Sequence, residues 1–163
     1  MKRLLLDTNI YGELIFDRDF PLLKENIKDK FVAHGFRIVR EELRDVPKSS
    51  KVQGRNMRIG LLHIYDEIIK KEYPLTEEIE RLGAEYYKIY HQLGSIHSYD
   101  KMRNDFLIVA CATLNQVDLV VSEDNKTLLV ENALKAYDQV NQQINKKIPD
   151  FIGYLEFKRL LLE

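Results

Sequence analysis

The apolar positions of the chain follow two rhythms. Short unbroken runs read as buried strands, and runs with steps of three and four read as amphipathic helices. Leu4-Leu5-Leu6, within Lys2–Leu6, is the first unbroken run and predicts a strand of a parallel sheet. It stops at Asp7-Thr8-Asn9, and a helical stretch, Ile10–Phe16, follows at once. Phe20, Leu23, Ile27 and Phe31 space an amphipathic helix over Asp19–Phe31, broken at Gly35. Phe36–Val39 predicts a second short strand, and Arg40-Glu41-Glu42-Leu43 begins a helix closed by Pro47.

Lys48–Asn56 is polar and basic and reads as an exposed loop. A helix is expected over Arg58–Ile69, and another opens at Thr76, with Ile79, Leu82, Tyr86, Ile89, Tyr90 and Leu93 as its stripe. A turn runs from Gly94 to Asp100. Asp105 then opens Phe106–Leu114, so apolar that its helix must be buried nearly all round. Gln116–Val121 carries a strand, followed by a helix from about Thr127 to Tyr137. A short apolar piece at Phe151-Ile152 and a helix over Tyr154–Leu162 complete the pattern. Strands alternating with helices predict an α/β fold, a three-layer α/β/α sandwich with a mainly parallel central sheet. The length, 163 residues, predicts one domain over 1–163 with a real core.

Composition narrows the function classes. The apolar fraction is 45% and the charged fraction 31%, values of an ordinary folded domain. A net charge of -1 gives no global basic excess, so a nucleic-acid role must rest on local patches. The single cysteine, Cys111, forms no intrachain disulfide and suits a reducing cytoplasm. No apolar run reaches transmembrane length, so no membrane partner is expected.

Four acids stand at strand ends or helix starts: Asp7, Glu42, Asp105 and Asp124. Parallel strands share one C-terminal edge, where open α/β sheets build their sites, so these acids can meet in space. Singly, each is explained as a helix cap. Glu41 and Glu123, their neighbours, compete for the same roles. Together, ionised carboxylates in a partly buried cleft either take up protons or enclose a hard cation. Oxygen-only donors select Mg²⁺ or Mn²⁺. His34, His63, His91 and His97 fit no zinc motif, and Cys111 has no companion.

These residues carry a resemblance. Leu4-Leu5-Leu6-Asp7-Thr8-Asn9 is similar to the opening of a PIN domain, the ribonuclease fold of the VapC toxins. Glu42-Leu43, Asn104-Asp105-Phe106-Leu107-Ile108-Val109-Ala110 and Val120-Val121-Ser122-Glu123-Asp124 resemble its second, third and fourth signatures, in order across nearly the whole chain. The chain departs from the compact toxins in its length and in the helical stretch after Asp124.

The resemblance implies metal-dependent hydrolysis of RNA phosphodiesters by a metal-activated water, with no side-chain nucleophile. Asp7, Glu42, Asp105 and Asp124 are then direct or water-mediated ligands. Thr8, Asn9, Asn104 and Ser122 would orient them, or else are turn and cap residues. Arg40, Arg44, Lys48, Lys51, Arg55 and Arg58 are candidates to grip phosphates, against the plainer view of a solvated surface. Tyr86, Tyr87, Tyr90 and Tyr99 offer faces for bases, although Tyr86 and Tyr90 fall on the core stripe. The resemblance also implies a toxin with an antitoxin partner, whose peptide presents arginine to the acids, and a homodimer. A second reading keeps the fold with weak or absent catalysis, as an RNA- or protein-binding module. A third, aspartyl phosphotransfer, wants a second acid beside the first, which Asp7-Thr8-Asn9 does not supply.

Overall fold

A computed structural model describes residues 1–163. Strand β1 (Lys2–Leu6) leads into α1 (Thr8–Phe16) and α2 (Phe20–Lys30), and then β2 (Phe31–Phe36) and α3 (Arg37–Arg44). A two-stranded ribbon, β3 (Lys51–Val52) and β4 (Arg55–Asn56), precedes α4 (Met57–Ile68), β5 (Lys71–Tyr73) and α5 (Glu77–Gln92). The chain continues through α6 (Tyr99–Leu114), β6 (Leu119–Val121), α7 (Glu131–Gln143), β7 (Asp150–Ile152) and α8 (Tyr154–Leu162).

The central sheet has the order β5-β2-β1-β6-β7, and every pairing in it is parallel. Two helical groups cover it, giving the three-layer α/β/α sandwich. α1 packs on α4 and α2 on α8 in one group, while α5 packs on α6 and α7 in the other. β1 lies at the centre, and Leu4, Leu5 and Leu6 are fully buried. Each such leucine contributes about 1.5–3 kcal/mol by leaving water. The chain steps from β1 to β2 on one side and later to β6 on the other. The sheet's direction of growth therefore reverses beside β1, where α/β sheets open a crevice. No helix is long and apolar enough to cross a membrane.

Several elements differ from the pattern-based expectation. The second strand is Phe31–Phe36, not Phe36–Val39. Phe31 continues the spacing of α2, but its backbone is extended (φ −135°, ψ 163°) and pairs with Lys2. Ile38 and Val39, β-branched and strand-like, instead form the buried face of α3 with Leu43. Gly35 does not break a helix. It lies inside β2, where a Cβ would collide with the Tyr65 hydroxyl and approach Ile69 Cγ2 to 2.9 Å.

The expected loop over Lys48–Asn56 contains a tight hairpin, because Gln53 (φ 53°) and Gly54 (φ 76°) both take the left-handed conformation that short hairpins need. β5 has two exposed charged residues and no apolar run, so no pattern marked it. Helix α6 starts well before Phe106, capped by Ser98, whose side chain accepts from Lys101 N at 3.3 Å. Asp105 therefore sits inside this helix rather than at its opening. Residues 127–130 form a turn, and α7 begins only at Glu131.

Candidate metal centre

Asp7 is placed by the sheet itself. Its backbone N–H continues the β1–β6 ladder, donating to Val121 O at 2.9 Å. Its side chain caps α1, with Oδ1 accepting from Thr8 N at 2.7 Å. Ser122, one residue past β6, is held by its own N–H to Ile152 O at 3.0 Å. Its hydroxyl donates to Asp7 Oδ2 at 2.6 Å, and Ser122 Oγ accepts from Asp124 N at 3.0 Å. The ladder thus fixes two residues 115 positions apart, and the hydroxyl locks the carboxylate between them.

The arrangement continues in both directions. Thr8 Oγ1 donates to Glu42 Oε1 at 2.9 Å, reaching from α1 to α3. Thr127 Oγ1 lies 2.5 Å from Asp124 Oδ2 and 2.7 Å from Asp105 Oδ2. Glu42, Thr8, Asp7, Ser122, Asp124, Thr127 and Asp105 therefore form one series in which hydroxyl residues alternate with acids. Carboxylate oxygens of Asp7, Asp105 and Asp124 all lie within 4.8 Å of one another. Glu42 stands outside that triad, joined to it through Thr8.

Burial, with crowded charge added, raises the proton affinity of Asp7, Glu42 and Asp105. Burial, above all, pushes the Asp105 carboxyl up to about 7; the Thr127 hydrogen bond opposes this, and the charges of Asp7, Asp124 and Glu42 add to it. Asp7 is raised mainly by burial, with hydrogen bonds from Ser122 and Thr8 opposing and Asp124 adding. Burial also raises Glu42, offset by Thr8 and by Asn104, with Asp7 and Asp45 pushing upward. Acidic oxygens held this close are stabilised by protons or by a cation. All donors in the triad are hard oxygens, so the residues fit Mg²⁺ or Mn²⁺. The histidines lie outside it: His63 pairs with Glu67 on the surface, and His34 is buried against the ring of Tyr73.

The neighbouring acids have other partners. Glu41 pairs with Arg37 at 2.8 Å on the exposed side of α3. Glu123 accepts from Tyr154 N at the start of α8, and its own N–H donates to Asn9 Oδ1 at 3.2 Å. Asn9 therefore braces the β6–α7 loop rather than a carboxylate of the triad. Asn104 faces Glu42 from α6.

The expected cations divide into two sets. Arg40 is engaged, 3.4 Å from Asp66 and over the Tyr65 ring. Arg44 and Arg58 meet through Arg58 Nη1 and Arg44 O at 3.3 Å. Arg40 and Arg44 each lie two residues from Glu42, which is about 200° around a helix, so they leave α3 opposite the acid. Lys48, Lys51 and Arg55 are exposed on or beside the hairpin and make no ion pair. Tyr86 and Tyr90 are core residues; Tyr87 and Tyr99 are partly exposed, with Tyr87 Oη donating to His97 O.

Thr127 is the site residue that pattern reasoning missed, placing it only at a helix start. The signal was Asp124 followed three residues later by threonine, the spacing at which an aspartate accepts the later residue's N–H. Thr127 N does donate to Asp124 Oδ1, at 2.9 Å.

No protein-family model matches the sequence, and no curated protein matches it. Solved structures do match in shape. VapBC2 from Rickettsia felis, bound to a DNA fragment from its promoter, superposes with a TM-score of 0.61 at 16% identity, covering 93% of this chain and 98% of the other. VapBC-1 from nontypeable Haemophilus influenzae gives 0.56 at 17% identity, over 93% and 97%. FitAcB from Neisseria gonorrhoeae gives 0.55 at 18%, over 91% and 96%. The chain has the PIN-like, VapC-like fold that its signatures resemble.

Proposed function

We propose that this protein is a metal-dependent ribonuclease that hydrolyses RNA phosphodiester bonds, with Asp7, Glu42, Asp105 and Asp124 holding Mg²⁺ or Mn²⁺. The observation that carries the reading is the meeting of Asp7, Asp105 and Asp124 oxygens within 4.8 Å at the C-terminal edge of a parallel sheet. Four separate segments supply the acids, and capping alone does not require them to converge.

The chain's own residues keep the acid oxygens in place. Ser122 and the Thr8 N–H fix the Asp7 carboxylate, while Thr8 Oγ1 turns Glu42 toward the same edge. Asp105 accepts its one hydrogen bond at Oδ2, which leaves Oδ1 without a partner from the protein. A divalent cation bound there supplies the Lewis acidity that activates water and offsets charge at the phosphodiester. Asn9 and Asn104 steady the loop and Glu42. Lys48, Lys51, Arg55 and Arg58 are proposed phosphate contacts; Arg40, already engaged, and Arg44, which leaves α3 opposite Glu42, contribute less.

The solved structures with chains of similar fold include those of VapBC2, VapBC-1 and FitAcB. We extend this to the chain as a toxin whose antitoxin partner engages the acidic edge, and as a cytoplasmic homodimer. Labelled RNA incubated with the protein and Mn²⁺ or Mg²⁺ is expected to be cut, and EDTA, Asp7→Asn or Asp105→Asn to abolish cutting. RNA retained but not cut, with retention unchanged by both substitutions, would instead establish a binding module.

A further inference from the structure

Thr127 lies in the turn between β6 and α7, and it is buried. Its hydroxyl is the only protein group that hydrogen-bonds the Asp105 side chain. The same residue contacts both oxygens of Asp124, its N–H donating to Oδ1 and its Oγ1 meeting Oδ2. We propose that Thr127 is a positioning residue for the divalent cation, setting the separation and orientation of the Asp105 and Asp124 carboxylates. The inference rests on the metal-dependent reading of the site.

The residue is built to hold a fixed geometry. Threonine is β-branched, so its χ1 has few choices. The turn around it is anchored: Leu128 is fully buried, its carbonyl accepts from Tyr137 Oη at 2.8 Å, and Leu129 N donates to Asp124 O at 2.9 Å. Asp105 comes from α6, which runs through the core with Phe106–Ala112 fully buried. Thr127 thus couples a rigid helix to a rigid turn through a single oxygen atom.

A hydroxyl carries one proton, so Thr127 Oγ1 donates to one of the two carboxylates at a time, and its approach to the other is stabilised either by a proton on that carboxyl or by positive charge close by.

The test compares Thr127→Val, which keeps the shape without the hydroxyl, with Thr127→Ser, which keeps the hydroxyl. Mn²⁺ binding is measured by titration calorimetry and by the electron paramagnetic resonance spectrum of bound Mn²⁺, on protein shown to be folded in EDTA. The valine variant is expected to bind Mn²⁺ roughly 10- to 100-fold more weakly, with an altered spectrum, and the serine variant to recover most of the affinity. Should the valine variant not fold, Thr127→Ala makes the same comparison. Wild-type affinity without the hydroxyl overturns the proposal, as does an equal loss in the serine variant, since packing would then be the cause. Wild-type protein that binds no Mn²⁺, or binds it unchanged in Asp105→Asn, overturns the metal reading and this inference together. Wild-type binding that is lost in Asp105→Asn but unaltered in Thr127→Val overturns this inference alone.

Discussion

Ser122 Oγ donates to Asp7 Oδ2 at 2.6 Å, joining the ends of two adjacent parallel strands. The bond exists because Leu6 and Val121 are register partners, so the next residues emerge side by side. The energetic consequences of that crowding are measurable.

The Asp105 carboxyl, pushed up to about 7, keeps its proton in the folded state at pH values where the unfolded chain has released it. Between the unfolded value near 4 and the folded value near 7, the folded form binds more protons, so Asp105 makes stability fall as pH rises and level off above that window. Asp105→Asn removes this dependence, and comparing variant with wild type cancels the other titrating groups. In EDTA at pH 7.5 the variant is expected to be more stable, by an amount on the order of a few kcal/mol. The advantage should shrink toward pH 4 and disappear when Mn²⁺ is added to the wild type. Urea unfolding at several pH values decides it; a constant difference across the range contradicts the assignment.

Gly35→Ala tests the close approach of β2 and α4. The added methyl meets the Tyr65 hydroxyl and Ile69, and Tyr65 is held in a buried ring pair with Tyr11. A loss of about 1–3 kcal/mol is expected, as for other overpacked cores. An unchanged urea midpoint would mean that Tyr65 swings away freely.

Tyr86→Phe tests the polar knot beneath α5. Tyr86 Oη donates to Asn141 Oδ1 at 2.6 Å and meets Thr113 Oγ1 at 3.1 Å, all three residues being buried. Removing the hydroxyl strands the Asn141 carbonyl, at an expected cost of about 1–3 kcal/mol. Asn141→Leu paired with Tyr86→Phe should cost less than the sum of the two single changes.

The hairpin cations and Arg40 should separate in RNA binding. Lys51→Ala and Arg55→Ala each remove an unpaired exposed charge and are expected to weaken binding and flatten its salt dependence by about one unit of slope or less. Arg40→Ala breaks an existing pair with Asp66 and should change RNA affinity less. The reverse ranking, read from fluorescence anisotropy across salt concentrations, would place the RNA on the arginine face of α3 instead.

The layers of the fold were legible because β1, β6 and α8 carry unambiguous apolar patterns. Thr76 also caps α5 as its spacing announces, accepting from Ile79 N. Phe31, Ile38 and Val39 misled, because an aromatic can end a helical stripe or begin a strand, and β-branched residues can line a short helix. β5 was silent, since a three-residue edge strand needs no apolar run. In the candidate site, Asp7 and Asp124 were visible as acids just past strand ends, whereas Glu42 and Asp105 lie inside α3 and α6. What sequence could not supply was their linkage: Thr127 gains its place from α6, twenty-two residues away, and the separate job of Glu123 from α8.

All four acids precede residue 125, yet the loop bearing Ser122 and Asp124 is braced by what comes later. Ile152 O receives the Ser122 N–H, and Glu123 receives the N–H of Tyr154. A nascent chain that has emerged only to residue 149 carries every acid but not these braces. In vectorial synthesis this loop therefore gains its last supports only when β7 and α8, the final two elements, emerge.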